Sequence, residues 1–582
     1  MENIEYHRLA ASEDDGSVPK ETKISPWIGR KSKWKKCFRK ISYYRRSKLN
    51  SFMTLLCVVT FCCCCLVALV LAIVFSGKSK SATYDETPWF RPQYHYTPKK
   101  NWMNDPNGLI YHNGEYELYF QYNPYGSHWG HMSWGHAKSK DMVHWEQQPV
   151  ALMEADGVMI FSGSAVVDTN NTSGFGNKTH PPLVALYTGF VESDKIQDQR
   201  VAYSNDNGMS WINYENNPVL DRHSENFRDP KVFWHPPTKS WCMLAVLAQK
   251  HTILFYTSVN LIDWTLASEF IPSPSTGVSI EGNWECPDLF PLKVIGAANQ
   301  IKWILKVDTS GNRTEMSRTG AQYFIGEFNG THFVAGGKSQ WLDSGMDFYA
   351  SNTWNNRYSH DGRMIIIGWA CNWYYSENIP TSPFRGMMSI PRVLSLLPYG
   401  DGLRLAQQPI QELQSLRGDP ITFAPNPVVT AEGYAVQFNT NHVRSLEIFL
   451  NVTVLSRDEL KEFGLKLMKG PSQELVIGWR SDDQSFFINR TASGIVDMAP
   501  HFPVVNCTQV PLNQDGRMWA QIFLDWCSVE VFVNGGVVTF TDLFFPDTNQ
   551  DIMEFYWTGA KDAITYDLGG YEMTSIWKKA KN

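Results

Sequence analysis

The sequence predicts an all-β fold with two units of short strands, preceded by one N-terminal membrane-spanning helix. Three observations support this prediction. Aromatic residues make up 14% of the chain, and 41 Gly and 31 Pro favour short strands joined by turns. Long amphipathic helical patterns are scarce after residue 90. One uninterrupted apolar stretch near the N-terminus is long enough to span a bilayer.

That stretch, "FMTLLCVVTFCCCCLVALVLAIVF" at residues 52–75, contains no charged residue. Because a long segment precedes it, an uncleaved signal anchor over residues 51–76 fits better than a signal peptide. Residues 30–48 contain ten Lys and Arg. The positive-inside rule then predicts a single-pass type II membrane protein. Residues 1–50 would be a cytosolic basic tail, and the ectodomain would be lumenal, in a vacuole or endosome, or extracellular at the cell surface.

Glycosylation sequons and charge agree with that orientation. All eight Asn-x-Ser/Thr sequons follow the span, at Asn170, Asn171, Asn177, Asn312, Asn329, Asn451, Asn489 and Asn506. Residues 1–50 contain 13 Lys and Arg against 6 Asp and Glu, whereas the whole chain has a net charge of −6. The ectodomain is therefore acidic, which argues against a nucleic-acid partner.

The cysteines show no metal-ligand pattern. Five lie beyond the span without paired metal-ligand spacing, so we expect no metal site and no cofactor. Cys507 and Cys527 lie twenty residues apart in a strand-rich region, where a disulfide could form. The cysteines of the tail and span fit either palmitoylation or apolar filling of the membrane helix.

A loose repeat predicts propeller blades after a polar linker at residues 77–87. Each unit has an apolar strand, a polar turn and a Trp that opens the next strand, and the three tryptophans are Trp145, Trp211 and Trp264. A separation of roughly 50–65 residues suits a four-stranded blade. The alternative is coincidence in a Trp-rich sandwich. We assign residues 88–400 to this unit.

The chain changes character near residue 400. Residues 401–419 are predicted to form a linker with a short helix at 410–416. Alternating strands such as "SLEIFLNVTVL" and "SVEVFVNGGVVTFT" follow. They predict a β-sandwich over residues 420–582.

Three carboxylates are set among residues expected to be buried: Asp105 in "WMNDPNG", Asp229 in "NFRDPKVFW" and Glu285 in "EGNWECPDLF". A buried, unpaired charge is costly unless it is used. Each alone has a structural explanation, since both aspartates precede Pro as turn residues and Glu285 could pair with a buried Arg. Together they provide the acidic groups that glycosidic bond hydrolysis requires, and inner strands of different blades could bring them into one funnel.

These boxes, in this order, resemble the signature motifs of family 32 glycoside hydrolases, the β-fructofuranosidases. That family includes invertases, inulinases, levanases and fructosyltransferases. The likeness extends to "FQYNP", "WGHMSWGHA", "FSGSAV", "DFYAS" and "GWACNWYYSENIPTSPFRGMMSIPR", and it covers residues 88–580 approximately. The resemblance implies a five-bladed β-propeller followed by a β-sandwich.

The resemblance also implies residue roles. Asp105 would be the nucleophile that forms a covalent fructosyl-enzyme, Glu285 the acid and then base, and Asp229 the group that holds fructose hydroxyls. Trp102 would help to orient Asp105. The implied sugar-binding residues are Asn104, Gln121, Trp129, Phe161, Ser162 and Arg228, although Trp129 could instead be blade core. Two residues, Trp373 and Tyr375, would border an acceptor subsite.

The predicted activity is hydrolysis of sucrose, and of fructans as further substrates, by an invertase-like enzyme. The first alternative is fructosyl transfer. Trp102 and Asn104 match the pattern of the invertases that the sequence resembles, and this match favours hydrolysis. The second alternative is a catalytically inactive, membrane-tethered sugar-binding lectin, and the presence of all three carboxylates argues against it.

Overall fold

The computed structural model describes residues 90–577, except residues 178, 298–299, 312–318, 357, 422, 424–426, 440–443 and 548–551. The predicted tail, span and linker lie outside the described residues. Within the described part of the chain, no helix is long and apolar enough to cross a membrane.

In the described residues, five antiparallel sheets, termed blades 1 to 5, follow one another along the chain. Blade 1 contains Asn101–His112, Glu115–Tyr122, Ser133–Ser139 and Glu146–Leu152, with Phe384–Arg385 added in parallel. Blade 2 contains Val158–Val167, Leu183–Val191, Gln197–Ser204, Ile212–Asn213 and Leu220–Ser224. Blade 3 contains Phe227–His235, Ser240–Leu247, Thr252–Ser258 and Thr265–Phe270. Blade 4 contains Trp284–Lys293, Ile301–Thr309, Gly320–Phe328, Phe333–Ala335 and Gln340–Trp341. Blade 5 contains Tyr349–Thr353, Met364–Trp369, Arg392–Tyr399 and Gly402–Pro409.

The first strand of each blade is its inner strand. Each inner strand contacts the inner strand of the next blade, and the inner strand of blade 5 contacts that of blade 1. The sheets therefore close into a ring around a common axis. This is a five-bladed β-propeller.

Local turn chemistry explains how the strands connect. Asn113 and Gly114 join the first two strands of blade 1 with φ values of 51° and 83°, as a two-residue type I′ hairpin requires. Gly400, at φ 58°, opens the two-residue turn before the last strand of blade 5. That strand, Gly402–Pro409, pairs with the strand before it, so blade 5 extends past residue 400 into the segment predicted as a linker.

Helical segments are short in the described residues. They are the α-helical turn Tyr358–Asp361 and the 3₁₀ turns Ala248–Lys250, Pro274–Thr276, Ser376–Asn378 and Gln411–Leu416. The last of these agrees with the short helix predicted at residues 410–416, and it connects the propeller to the second domain.

The C-terminal domain consists of two sheets. One has six strands in the order Arg417–Pro420, Ile564–Met573, Leu446–Val454, Arg517–Leu524, Ser528–Val533 and Val538–Leu543. The other has seven strands in the order Val428–Val429, Tyr434–Asn439, Ile552–Gly559, Leu460–Lys469, Glu474–Arg480, Ser485–Ala492 and Val505–Gln509. Inward-facing residues of both sheets, including Ile448, Ile522, Phe463 and Phe555, share one apolar core. The domain is a β-sandwich.

Buried ion pairs join the propeller to the sandwich. Arg392 of blade 5 donates to Glu530 of the sandwich at 2.5 Å. The ring of His95 bonds both Asp525 and Glu530, at 2.8 and 3.0 Å. Since these groups are almost fully buried, the pairs restrict how the two domains can pack against each other.

Candidate active site

Every inner strand of the propeller contains a β-bulge near its first residues, and the inner strand of blade 1 contains a second one at Gly108 and Leu109. At the first bulge of each inner strand, two residues of that strand oppose one residue of the second strand. In blade order, the bulge residues are Asn104 and Asp105, Phe161 and Ser162, Asp229 and Pro230, Cys286 and Pro287, and Ala350 and Ser351. A bulge re-aims the side chains around it. Several predicted site residues therefore lie at equivalent positions around the ring.

Neither Asp105 nor Asp229 lies in a turn, although each precedes a proline. Both lie inside strands, Asn101–His112 and Phe227–His235. Because a bulge residue need not donate to the strand ladder, Pro230 fits at its position without a lost hydrogen bond. The structural explanation of the Asp-Pro pairs as turns is therefore wrong.

Asp105 is buried and held on both sides. The side-chain amide of Asn104 donates to its Oδ1 at 2.9 Å, and the hydroxyl of Ser162 donates to its Oδ2 at 2.7 Å. The indole N–H of Trp102 donates to the side-chain Oδ1 of Asn104 at 2.8 Å. These bonds fix the carboxylate in one orientation and favour its ionised form.

Asp229 and Asp105 are linked through Cys286. The backbone N–H of Cys286 donates to Asp229 Oδ2 at 2.8 Å, and its Sγ lies 3.6 Å from Asp105 Oδ2. Asp229 and Cys286 have φ values of 63° and 48°. These left-handed conformations cost energy in residues with side chains. The two bulges thus hold a strained backbone where the carboxylates meet.

Glu285 lies beside this pair and accepts two hydrogen bonds. Arg228 Nη2 donates to its Oε1 at 2.9 Å, and the hydroxyl of Tyr349 donates to its Oε2 at 2.5 Å. Arg228 also lies beside Asp229, with Nε 3.9 Å from Oδ2. The Glu285 side chain is 19% exposed, so it keeps access to solvent.

Burial and nearby charges raise the pKa values of Asp105, Asp229 and Tyr349. Burial raises the pKa of Asp105, and the charge of Glu285 raises it further, whereas the bonds from Ser162 and Asn104 oppose the shift. Burial raises the pKa of Asp229 to about 7 despite the opposing charge of Arg228. Burial also raises the pKa of Tyr349, which keeps its hydroxyl protonated as a donor. Burial thus raises the pKa of both aspartates of the site.

Four of the predicted sugar-binding residues lie among the carboxylates: Asn104, Ser162, Arg228 and Gln121, which opposes the bulge of blade 1. The other two form an aromatic edge. Trp129 lies in a loop rather than in blade core, with its ring 6.0 Å from that of Phe161. Phe161 in turn stacks on Phe190 at 5.0 Å.

The two residues predicted for the acceptor subsite, Trp373 and Tyr375, lie in different environments. Trp373 is half-buried and stacks on Trp102 at 5.9 Å, beside the site. Tyr375 is 1% exposed, and its hydroxyl bonds Asp347 and Arg490 at 2.6 and 2.8 Å. The structure thus places Tyr375 in a buried polar cluster rather than at a subsite.

Sequence reasoning missed several contacts. Tyr349, which donates to Glu285, lies in the "DFYAS" motif, but the motif by itself does not indicate this hydrogen bond. Thr188 accepts the backbone N–H of Asp229 at 2.9 Å. Lys306 donates to the carbonyl of Cys286 at 2.9 Å. Each contact joins different blades or strands, so no sequence spacing indicates it.

The predicted disulfide is wrong, because Cys507 and Cys527 are both free thiols. Cys507 is exposed on the edge strand of one sandwich sheet, whereas Cys527 is buried against Met387. The described residues contain no group of three His, Cys, Asp or Glu side chains suited to a metal ion.

The glycosylation sequons differ in accessibility. Asn312 lies outside the described residues. Exposed or half-buried positions are Asn170, Asn171, Asn177, Asn329, Asn451 and Asn489. Asn506 is buried, and its side-chain nitrogen donates to Asp542 at 2.5 Å. That nitrogen is the atom a glycan would occupy.

Comparison with known proteins identifies the family. Residues 95–409 match the glycosyl hydrolases family 32 N-terminal domain, and residues 412–571 match the family 32 C-terminal domain. The chain belongs to glycosyl hydrolase family 32. The first match ends where blade 5 ends, and the second covers most of the sandwich. This family 32 chain is a glycoside hydrolase.

Individual relatives agree. The family 32 chain is 43% identical to a levanase of Bacillus subtilis, over 84% of this chain and 71% of the relative. It is 37% identical to an extracellular exo-inulinase of Aspergillus ficuum, over 87% of this chain and 98% of the relative. The crystal structure of exo-inulinase from Aspergillus awamori superposes with a TM-score of 0.77 at 36% identity, covering 85% of this chain and 100% of that one.

Proposed function

We propose that this chain is a retaining β-fructofuranosidase that hydrolyses sucrose and fructans through a covalent fructosyl-enzyme. The observation that carries the proposal is the convergence of Asp105, Asp229 and Glu285 at three bulges, linked by Cys286 and Arg228. Retaining glycosidases need one carboxylate as nucleophile and a second carboxyl group as acid and base.

Asp105 acts as the nucleophile. Asn104 and Ser162 hold its carboxylate in one orientation, and their hydrogen bonds support the ionised form needed for attack on the anomeric carbon. Cys286 and the aromatic residues around Trp102 exclude water from its buried side. The attack yields a fructosyl ester on Asp105.

Glu285 acts as the general acid and then as the base. It is the carboxyl group with a partly exposed side chain, which suits exchange of a proton with a leaving group and then with water. Tyr349 and Arg228 hold its two oxygens apart in a defined plane. In the second step Glu285 takes a proton from the water that cleaves the ester.

Asp229 and Arg228 bind the fructosyl unit. The free oxygen of Asp229 can accept from sugar hydroxyls while Cys286 holds the other oxygen. A negative charge at Asp229 also stabilises the oxocarbenium-like transition state. Trp129 and Phe161 provide an apolar edge for the sugar ring.

The substrates follow from two sources. The signature boxes resemble those of invertases, which points to sucrose. The names of the relatives, levanase and exo-inulinase, point to fructans. Both substrate types present a β-fructofuranosyl unit, which the same site would bind.

Product analysis on sucrose and on a fructan tests the proposal, with Asp105→Asn and Glu285→Gln as matched isosteric variants. Equimolar glucose and fructose at low and high sucrose are expected from the wild type. Excess glucose with trisaccharides would instead mean fructosyl transfer. No activity on either substrate would overturn the proposal and would favour the alternative of a catalytically inactive sugar-binding lectin. Full activity in Asp105→Asn would mean a different nucleophile.

We also propose that the chain is anchored as a type II membrane protein by residues 51–76. The apolar span, the basic segment before it and the sequons after it support this topology. Protease protection of sealed vesicles tests it. A glycan-free mature protein that is soluble in the cytosol would contradict the topology.

A further inference from the structure

We propose that Lys306 is a positioning residue for the acid and base Glu285. Its ammonium group would set the relative position of two bulges, and through them the hydrogen bonds of Glu285 and Asp229. This inference rests on the proposed function, and it adds a residue from outside the group that touches substrate.

Lys306 has three acceptors for its three N–H donors. Nζ donates to the carbonyl oxygen of Cys286 at 2.9 Å and to the carbonyl oxygen of Ser351, and it forms an ion pair with Asp308. The side chain is 1% exposed. Because an ammonium group has three donors, all of its bonding capacity is used by these contacts.

Both carbonyls belong to bulge residues, one beside the acid Glu285 and the other near its hydroxyl donor Tyr349. Cys286 is the bulge residue next to Glu285, and its N–H donates to Asp229. Ser351 lies in the bulge of blade 5, next to the segment that carries Tyr349. Lys306 therefore joins the strand that holds Glu285 to the strand that holds its hydroxyl donor.

The buried charge of the Lys306 ammonium group is energetically unfavourable inside the propeller, and this cost argues for a specific role of the side chain. Taking an ammonium and a carboxylate out of water costs several kcal/mol per ion before pairing, and apolar residues often stabilise a core as well or better. The carbonyls at two bulges lack a full strand ladder, so a buried cation between them supplies donors that the backbone does not.

A second buried pair in the propeller provides a matched control. Lys231 Nζ donates to the carbonyl and hydroxyl of Thr353 at 2.7 and 3.2 Å and pairs with Asp288 at 3.2 Å. Its side chain is 5% exposed. Its chemistry matches that of Lys306, and its partners lie in the same two strands, but beyond the bulge residues. The control therefore isolates the contacts to the bulges themselves.

Leaving-group dependence separates positioning of the acid from general loss of structure. With sucrose, the C–O bond breaks, its electron pair goes to the glucosyl oxygen and Glu285 supplies a proton, while Asp105 bonds the anomeric carbon. With β-fructofuranosyl fluoride, the C–F bond breaks and fluoride leaves with the electron pair without needing that proton. A misplaced Glu285 should therefore slow sucrose cleavage much more than fluoride release.

The experiment compares kcat/KM for both substrates in the wild type, Lys306→Met and Lys231→Met, because kcat/KM reports formation of the fructosyl ester and excludes its later hydrolysis, which both substrates share. We expect Lys306→Met to lose about 10-fold to 100-fold more activity on sucrose than on the fluoride, because general acid catalysis contributes about 10²–10⁴-fold. Lys231→Met should lower both activities by the same factor. The ratio of the two activities is independent of the fraction of folded enzyme.

The double variant Lys306→Met/Asp308→Asn covers the case in which the single variant does not fold, since it removes the unpaired charge as well. An unchanged ratio in whichever of these variants folds would overturn the inference. An equal change of ratio in Lys231→Met would also overturn it. Wild-type enzyme inactive on both substrates would instead reject the proposed function.

Discussion

The propeller axis and the sandwich core are both buried, but they are built from opposite kinds of side chain. The sandwich core is a cluster of aliphatic and aromatic residues drawn from both sheets. Around the propeller axis, the inner strands and their neighbours bury carboxylates and ammonium groups: Asp105, Asp229, Lys231, Asp288, Lys306 and Asp308. Apolar burial stabilises a domain directly, whereas buried charges must be paired to be tolerated.

This difference in side-chain chemistry predicts that the sandwich core mainly determines folding stability, whereas the polar groups near the propeller axis mainly determine catalysis. A sandwich side chain contributes through the apolar area that it removes from water, so its loss should weaken the fold alone. A polar side chain near the axis contributes through its bonds to carboxylates, so its loss should weaken catalysis. Three predictions test this division, and two more concern the domain junction and the sandwich sequons, from the largest expected effect to the smallest.

Asp105→Asn should abolish activity while leaving the fold intact. The substitution removes the nucleophile but keeps side-chain volume, and loss of such a residue costs about 10⁴-fold to 10⁶-fold in kcat. The melting temperature should not fall, because a buried carboxylate is replaced by a neutral amide. Sucrose hydrolysis and calorimetry measure both. A large drop in melting temperature with retained activity would contradict the comparison.

Ile522→Ala should destabilise the protein without altering catalysis. Ile522 is fully buried in the sandwich core, and such a truncation costs about 2–5 kcal/mol. The milder Ile522→Val should cost about 0.5–1.5 kcal/mol. Denaturant unfolding gives the free energy, and kcat per folded molecule should match the wild type. A tenfold lower kcat per folded molecule would show that the sandwich core tunes the site.

Tyr349→Phe should lower kcat by about 10-fold to 100-fold, because it removes the hydroxyl that donates to Glu285. Tyr323→Phe is the matched control. Tyr323 is also buried and donates at 2.7 Å, but to Gln340, and its loss should cost only about 1 kcal/mol of stability. Equal activity losses in the two variants would mean that the Tyr349 hydroxyl has no specific role.

Much of the fold could be predicted from sequence. Strand alternation and the spaced tryptophans indicated blades and a second all-β unit, because side-chain period is a local property. The end of the propeller was predicted at residue 400, but the strand Gly402–Pro409 still belongs to blade 5. Its sequence did not distinguish a strand from a linker, because its pairing with Arg392–Tyr399 is visible only in the structure. Cys507 and Cys527 are likewise separated by packing that no spacing reveals.

The structure brings the three predicted carboxylates together, but the sequence did not indicate their geometry. Asp105, Asp229 and Glu285 were singled out by the family resemblance of their sequence boxes, because each carboxylate alone also had a structural explanation. The bulges that orient them were not predicted, because an Asp-Pro pair is typical of a turn as well as of a bulge. Tyr349 and Lys306 act across blades, and Tyr375 is buried by the sandwich residue Arg490. Such contacts depend on tertiary structure alone.

Thermal stability should fall as the pH rises from about 6 to about 9. Burial opposes protonation of His95, but its bonds to Asp525 and Glu530 raise the pKa to about 9 from 6.5. Its stabilising contribution is present below pH 6.5 and is lost through about pH 9. Burial raises the pKa of Asp542 to about 8 from 3.8, so the folded state also binds this proton more tightly.

The contributions of His95 and Asp542 to stability therefore both decrease as the pH rises. Both residues lie at the junction of the domains rather than in either core. Melting temperatures at pH 6 and pH 9 measure the effect. Asp542→Asn, which resembles the protonated acid, should flatten the dependence. A melting temperature that rises with pH would show that other groups dominate.

Asn506→Gln should leave the glycan mass of the protein expressed in a eukaryotic host unchanged. Asn489 and Asn506 lie on adjacent paired strands of one sandwich sheet, and both are sequons. Asn489 is half-buried, whereas Asn506 is 8% exposed and bonds Asp542 through the nitrogen that a glycan would occupy. A glycan at Asn506 would leave part of its buried polar contact unmade, so the folded protein should carry none there. Glycopeptide mass spectrometry after Asn489→Gln should show the loss of one glycan, and a glycan found at Asn506 would contradict this prediction.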